Sequence, residues 1–196
     1  MFTGIVEAVG TIHGIVQEKG NVHFELSCPF TSELKVDQSL SHNGVCLTVT
    51  RIENDRYWVT AISETLQKTN LGEWKRGGTV NLERCMPASG RFDGHIVQGH
   101  VDVKGTCVKV VEDQGSWRYY FEYPPADGFV TVQKGSVCVN GVSLTVVDSG
   151  DSSFSVAIIP YTWENTTFQT LKAGDGVNLE FDILGKYMQK LLRKTS

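Results

Sequence analysis

Ser39-Leu-Ser-His-Asn-Gly-Val-Cys-Leu-Thr-Val49 returns later in the chain as Ser136-Val-Cys-Val-Asn-Gly-Val-Ser-Leu-Thr-Val146. Seven of the eleven positions are identical, at an offset of 97 residues. The same offset carries Ile62, Thr65, Thr69, Lys75, Gly77, Val80, Asn81, Leu82 and Glu83 onto Ile159, Thr162, Thr166, Lys172, Gly174, Val177, Asn178, Leu179 and Glu180. Upstream, Gly4-Ile-Val-Glu7 pairs with Gly99-His-Val-Asp102 at an offset of 95. A period this long is a duplicated domain rather than a solenoid. The boundary falls between Gly94 and Val97. Residues 1–95 and 96–182 are therefore read as two homologous units, with 183–196 as a tail.

Each unit reads as β. VCLTVTRI, YWVTAI and VNLERC in the first half are matched by VSLTVVDS, FSVAII and VNLEFD in the second. These runs are rich in β-branched and aromatic residues and are bounded by Gly, Asn and Asp. Asn43-Gly44 and Asn140-Gly141 fit tight hairpin turns, which need φ > 0 at both central positions. Many short strands with frequent turns predict an all-β fold, with each unit a barrel or a sandwich. Short helices are expected only near Thr65–Leu71 and Thr162–Leu171. In the tail, Ile183, Leu184, Tyr187, Met188, Leu191 and Leu192 form one apolar stripe at helical spacing. That helix either covers its own barrel or packs against other copies.

Composition narrows the function. The 196 residues carry a formal net charge of −4. The densest basic run is Lys190–Lys194 at the tail, so no phosphate-binding stripe exists and a nucleic-acid partner is not expected. No apolar run approaches the length of a membrane span. The N-terminal residues lack the pattern of a secretory signal, and a cytoplasmic location is expected. Five cysteines at irregular spacing announce neither a zinc site nor a disulfide framework. They read as reduced thiols, and no metal is expected.

His42 and Cys46 stand four apart in the opening stretch. The repeat places Val139 and Ser143 there, so the histidine is not duplicated and reads as a surface residue beside the turn. Strand alternation puts Cys46 and Thr48 on one face, Leu47 and Val49 on the other, and Ser143 and Thr145 repeat this. The face is either an exposed polar surface or one of two equivalent ligand sites. His95 and His100 lie five apart, which gives no metal-ligand pattern. His100 replaces Ile5 of the first unit, and a titratable residue that breaks a duplication is a candidate for proton transfer. Lys134, Glu164 and Asp182 are charged residues beside repeat motifs.

MFTGIVE at the start, the two NGV(C/S)LTV motifs, TNLGEWKRGGTVNLER at 69–84 and DGHIVQGHVD at 93–102 together resemble the riboflavin synthase family, from Met1 through the tail. The resemblance implies two six-stranded Greek-key barrels, each binding one 6,7-dimethyl-8-ribityllumazine, and a C-terminal helix that assembles a homotrimer. It implies a dismutation in which one lumazine gives a four-carbon unit to another, yielding riboflavin and 5-amino-6-(D-ribitylamino)uracil. No metal or redox cofactor takes part, and lumazine synthase is the implied protein partner. Carried over by motif, the first pocket uses Gly4, Ile5, Val6, Cys46, Leu47, Thr48, Thr60, Ala61, Ile62, Ser63, Glu64 and Thr65. The second uses Gly99, His100, Val101, Lys134, Ser143, Leu144, Thr145, Ala157, Ile158, Ile159, Pro160, Tyr161 and Thr162. His100 is assigned to proton transfer, with Ser39, Cys46 and Asp182 near the reacting ring. Cys46 acts there either as a nucleophile or by orienting water or the ring. Departures from the family pattern are Asp93-Gly94-His95, where Gly-Gly-His is more usual, and His42, where a small apolar residue is common. The alternative is a non-catalytic lumazine or flavin binder of the antenna type.

Overall fold

The computed structural model describes residues 1–193. Twelve antiparallel strands form two closed barrels. The first contains β1 (Ala8–Glu18), β2 (Asn21–Ser27), β3 (Ser39–His42), β4 (Val45–Glu53), β5 (Arg56–Ala61) and β6 (Thr79–Arg84), closed in the order β1-β2-β5-β4-β3-β6. The second contains β7 (Val103–Asp113), β8 (Ser116–Glu122), β9 (Ser136–Val139), β10 (Val142–Ser149), β11 (Ser153–Ile158) and β12 (Gly176–Phe181), in the matching order β7-β8-β11-β10-β9-β12. The expectation of two six-stranded barrels is met. Register shifts in β1, β4, β7 and β10 let the long strands bend around the closed sheets.

Alternation decides what fills each barrel. Leu47 and Val49 point inward with Phe24, Leu40, Tyr57, Val59 and Leu82. Leu144 and Val146 do the same with Phe121, Val137, Phe154, Val156 and Leu179. Burying each such side chain contributes roughly 1.5–3 kcal/mol. The opposite face of β4 leaves Cys46 half-buried and Thr48 exposed.

His42 is not at the surface. It is 0% exposed and lies in the first barrel's core. It shares the inward parity of Leu40, two residues away on β3. Its Nδ1 meets the Leu40 carbonyl at 3.0 Å and its Nε2 meets the Tyr57 hydroxyl at 3.0 Å, so both ring nitrogens have partners. The repeat offers Val139 and Phe154 at the same two positions, and the polar pair becomes an apolar one.

The helical segments are shorter than expected. α1 (Ser63–Lys68) and α2 (Pro160–Glu164) each give way to a 3-10 turn, at Asn70–Glu73 and Thr167–Gln169. Thr69 and Thr166 adopt extended backbone there and cap the new turn by accepting from Leu71 and Phe168 N–H. α3 (Ile183–Leu192) ends the described chain, capped by the Asp182 carboxylate, which accepts from Leu184 N–H at 3.0 Å. The expected tail beyond 193 lies outside the described residues. A Lys186–Asp102 ion pair at 2.6 Å ties α3 to the second barrel. Leu184, Tyr187, Met188 and Leu191 stay exposed, so the apolar stripe does not cover its own barrel.

The two barrels meet at their repeated Asn-Gly turns. Asn43 and Gly44 have φ of 47° and 80°; Asn140 and Gly141 have 46° and 79°. The Asn43 and Asn140 carboxamides accept from Asn81 and Asn178 N–H, each at 2.8 Å. Asn81 then donates across the interface to the Asn140 carbonyl, and Asn178 to the Asn43 carbonyl, both at 2.9 Å. The glycines press together: a Cβ on Gly141 would stand 2.7 Å from the Gly44 nitrogen. We therefore expect Gly141→Ala to lower unfolding free energy by about 3 kcal/mol, from left-handed strain plus the clash. Urea denaturation measures this, and a loss below about 1 kcal/mol would show that the turns yield and do not set the packing.

Candidate active site

Two short segments each reach from one barrel onto the other. Phe2 and Val97 pair as an antiparallel bridge, with N–H to carbonyl distances of 2.7 and 3.1 Å. Beyond the bridge the segments diverge. The Gly4 carbonyl accepts from Ser143 N–H at 2.7 Å, and the Gly99 carbonyl accepts from Cys46 N–H at 2.8 Å. Both glycines have φ near +80° and leave no room for a side chain, since a Cβ on either would lie 2.7 Å from the residue it touches. Val6 packs on the second core and Val101 on the first. This reverses the expected grouping. Gly4 meets Ser143 and Val6 the core of the second barrel, while Gly99 meets Cys46 and Val101 the core of the first, with Ile5 and His100 between them in the chain. The cause is the Phe2–Val97 crossing, which local sequence does not encode.

A buried carboxylate clamps each segment. Glu83 accepts from Thr3 N–H and its hydroxyl at 2.6 and 2.9 Å, and from Gly4 N–H at 2.9 Å. Its repeat partner Glu180 accepts from Gln98 N–H at 2.6 Å and from Gly99 and His100 N–H at 2.9 Å. Burial pushes the Glu180 carboxyl up to about 7, against the pull of those backbone donors. Glu83 is raised for the same reason.

On the outer face of the first barrel, Ser39 stands opposite Thr48 and Ser41 opposite Cys46. Burial pushes the Cys46 thiol up, partly offset by Ser39, so the sulfur is protonated at neutral pH. The Val49–Val59 register brings the Cys46 end of β4 beside the Ala61 end of β5. Thr60 lies at that end of β5, hydrogen-bonded to His23 at 2.9 Å. Ile62 then opens α1 with 53% of its surface exposed. Ser63 and Glu64 are exposed, Thr65 is half-buried, and Glu64 pairs with Lys68 at 2.8 Å. In the second barrel, Ser143 and Thr145 occupy the corresponding strand positions. Ala157, Ile159 and Pro160 are exposed beside Tyr161, which is 73% exposed, and Thr162 is half-buried. A cleft of about 490 Å³, lined by Thr3, Ile5, Glu83, Arg84 and Asp93, opens beside this end of the first crossing segment.

Some expected pocket residues present no side chain to these surfaces. Leu47, Ala61, Leu144 and Ile158 point into the barrel cores, so only their backbones reach the outer face. Lys134 holds a left-handed turn before β9, its N–H donating to Val146, and its side chain is exposed. Asp182 caps α3 and acts electrostatically on His95. His95 has no role in the sequence-based expectations, yet its Nδ1 lies 2.7 Å from the Ser143 hydroxyl. The signal in the sequence is the pair of histidines in one connecting segment.

Comparison with known proteins fits this geometry. The lumazine binding domain family matches residues 3–85 and again 98–182. The riboflavin synthase of Actinobacillus pleuropneumoniae is 41% identical over 195 residues, covering 99% of this chain and 91% of that protein. The chain belongs to the riboflavin synthase family. The family's protein from Bacillus amyloliquefaciens is 38% identical, covering 100% and 91%. Riboflavin synthase homology makes the chain an enzyme of the transferase class. A crystal structure of LumP complexed with 6,7-dimethyl-8-(1'-D-ribityl) lumazine superposes with a TM-score of 0.83 at 23% identity, covering 92% of this chain and 99% of that one. That likeness is one of fold.

The Glu180 clamp has a pH signature. Its folded-state pKa lies above the ordinary carboxyl value, so its contribution to stability is full below about 4.5 and is lost as pH rises through about 7. His42 acts oppositely: burial lowers its pKa to about 4, which costs stability as pH falls below 6.5. We expect Glu180→Gln to be less stable than the parent at pH 4.5. That deficit should shrink by about 3 kcal/mol by pH 7.5, since each tenfold gain in proton affinity on folding is worth about 1.4 kcal/mol. Urea midpoints at both pH values check it, and a deficit that grows with pH contradicts the raised pKa.

Proposed function

We propose that two 6,7-dimethyl-8-ribityllumazine molecules bind on the Cys46 and Ser143 faces and dismutate to riboflavin and 5-amino-6-(D-ribitylamino)uracil. The observation that carries this reading is the pair of equivalent sites, each built from an outer strand face and a crossing segment. We take residues 1–95 and 96–182 as the two lumazine-binding units. Atoms balance without an oxidant, because the four carbons that one lumazine gains are those the other gives up. A donor and an acceptor of identical structure need two similar pockets, and holding both turns a bimolecular encounter into a positioned one. Backbone groups of β4 and β10 suit the flat pyrimidinedione edge. Thr48, Glu64, Thr65, Thr145 and Thr162 suit the ribityl hydroxyls.

The lumazine C7 methyl is acidic because its anion delocalises into the ring. His100, held beside Cys46 by the Glu180 clamp, serves proton transfer there. Ser39 and Cys46 orient the ring or the water that adds to it. A protonated thiol favours this over covalent attack. Asp182 sets the field near the second site. The antenna-type alternative finds less support, since the relatives of highest identity described above are riboflavin synthases. Incubation with 6,7-dimethyl-8-ribityllumazine separates the two, with riboflavin absorbance as the readout. We expect turnover, reduced at least ~100-fold by His100→Ala. Binding without product would sink the enzymatic reading.

Both sites are open strand faces, and a neighbouring copy closes them in this reading. The exposed α3 stripe supports a homotrimer that sets the first barrel of one subunit against the second barrel of another. Sedimentation should give a mass near three times 21.7 kDa. Met188→Glu buries a charge in that helical interface and should yield monomers with little activity. An unchanged trimer in that variant would remove α3 from the interface. The same reading includes lumazine synthase as a partner and a cytoplasmic location.

A further inference from the structure

The connecting segment that delivers His100 to the first site passes the second site five residues earlier. There the His95 Nδ1 lies 2.7 Å from the Ser143 hydroxyl. Three contacts fix that geometry. His95 N–H donates to the Thr3 carbonyl at 3.1 Å. Val97, two residues on, is locked to Phe2 by the antiparallel bridge. Ser143 N–H is itself bound to the Gly4 carbonyl at 2.7 Å. The ring is half-buried, and burial lowers its pKa despite the opposing field of Asp182, so it is neutral at pH 7.

A serine hydroxyl alone is a free rotor, with one donor hydrogen and two acceptor lone pairs. A neutral imidazole within hydrogen-bond reach fixes it: either the ring accepts the hydroxyl hydrogen, or it donates and leaves that hydrogen for a ligand. In both tautomers Ser143 presents one defined polar group at the position where the first barrel presents Cys46. Resting on the function proposed above, we infer that His95 is the positioning residue of the second site, orienting the Ser143 hydroxyl toward the bound lumazine ring. The connecting segment then supplies a histidine to each pocket, and the two pockets differ in how it is used. His100 serves its site directly, and His95 acts through Ser143.

The bond uses Nδ1, so an asparagine amide reaches the same point, whereas glutamine places its amide one methylene further out. We expect His95→Ala and His95→Gln to lower kcat about tenfold with 6,7-dimethyl-8-ribityllumazine, at a thermal midpoint close to the parent's. His95→Asn should stay within about threefold of wild type. Ser143→Ala should match His95→Ala, and the double variant should be no slower than either, because the two act as one unit. Wild-type kcat in His95→Ala, failure of asparagine to rescue, or additive losses in the double variant would each overturn the inference. If the parent binds lumazine but makes no riboflavin, the function proposed above fails. The same variants are then ranked by lumazine affinity, where the same order supports His95 and equal affinities overturn it.

Discussion

Everything in this molecule hangs on the contact between two Asn-Gly turns. Each asparagine sits in the left-handed region, where its short polar side chain is tolerated and can bond locally. Each glycine gives up its side chain so that the opposing backbone can approach. Asn81 and Asn178 then complete a reciprocal set of four bonds, two in each half, each with its image in the other. The four turn and strand carboxamides are thereby paired, as buried polar groups usually are, while the neighbouring Asn70 leaves its side-chain oxygen without a partner. Residues that look like a local hairpin signal are also what holds the barrels in a fixed mutual orientation.

That orientation makes the crossing of the two segments possible. With the barrels related by near symmetry, Phe2 and Val97 lie side by side, and each segment continues onto the far barrel. Glu83 and Glu180 anchor the segments through backbone N–H groups. The local cost is a buried carboxylate in each half, compensated by three hydrogen bonds apiece. The benefit is that each candidate site combines a strand from one unit with a segment from the other. Neither barrel is complete alone.

The two units differ at several of the candidate site positions. Cys46 corresponds to Ser143, His100 to Ile5, and Glu64 to Tyr161. These changes lie on outer faces and segments, away from the shared cores. A duplicated scaffold can thus keep its packing while the two sites drift apart in acidity and hydrogen bonding. The interiors exchange polar groups too: His42 and Tyr57 bond to each other in the first core, where the second has Val139 and Phe154, and Tyr119 of the second core, donating to the Phe168 carbonyl, stands where the first has Phe24.

Much of this is legible from residues alone. The 97-residue repeat establishes the duplication, the period-2 alternation at Cys46–Val49 separates core from site face, and Asn-Gly marks the turns. These are properties of neighbouring residues, and local sterics enforce them wherever the chain goes. The ends of α1 and α2 are harder, because Thr69 and Thr166 cap a 3-10 turn that competes with the helix over a single residue. His42 escapes a local reading because its parity on β3 and its partner fifteen residues away have to be known together. The sequence by itself determined two homologous β units, their turns, and which strand face is polar, and the family resemblance pointed to barrels. Only the tertiary structure decided that Gly4 bonds to Ser143, that Gly99 bonds to Cys46, and that His95 reaches a serine 48 residues away. Those pairings depend on how two closed barrels dock, and docking is set by long-range complementarity that no local pattern carries.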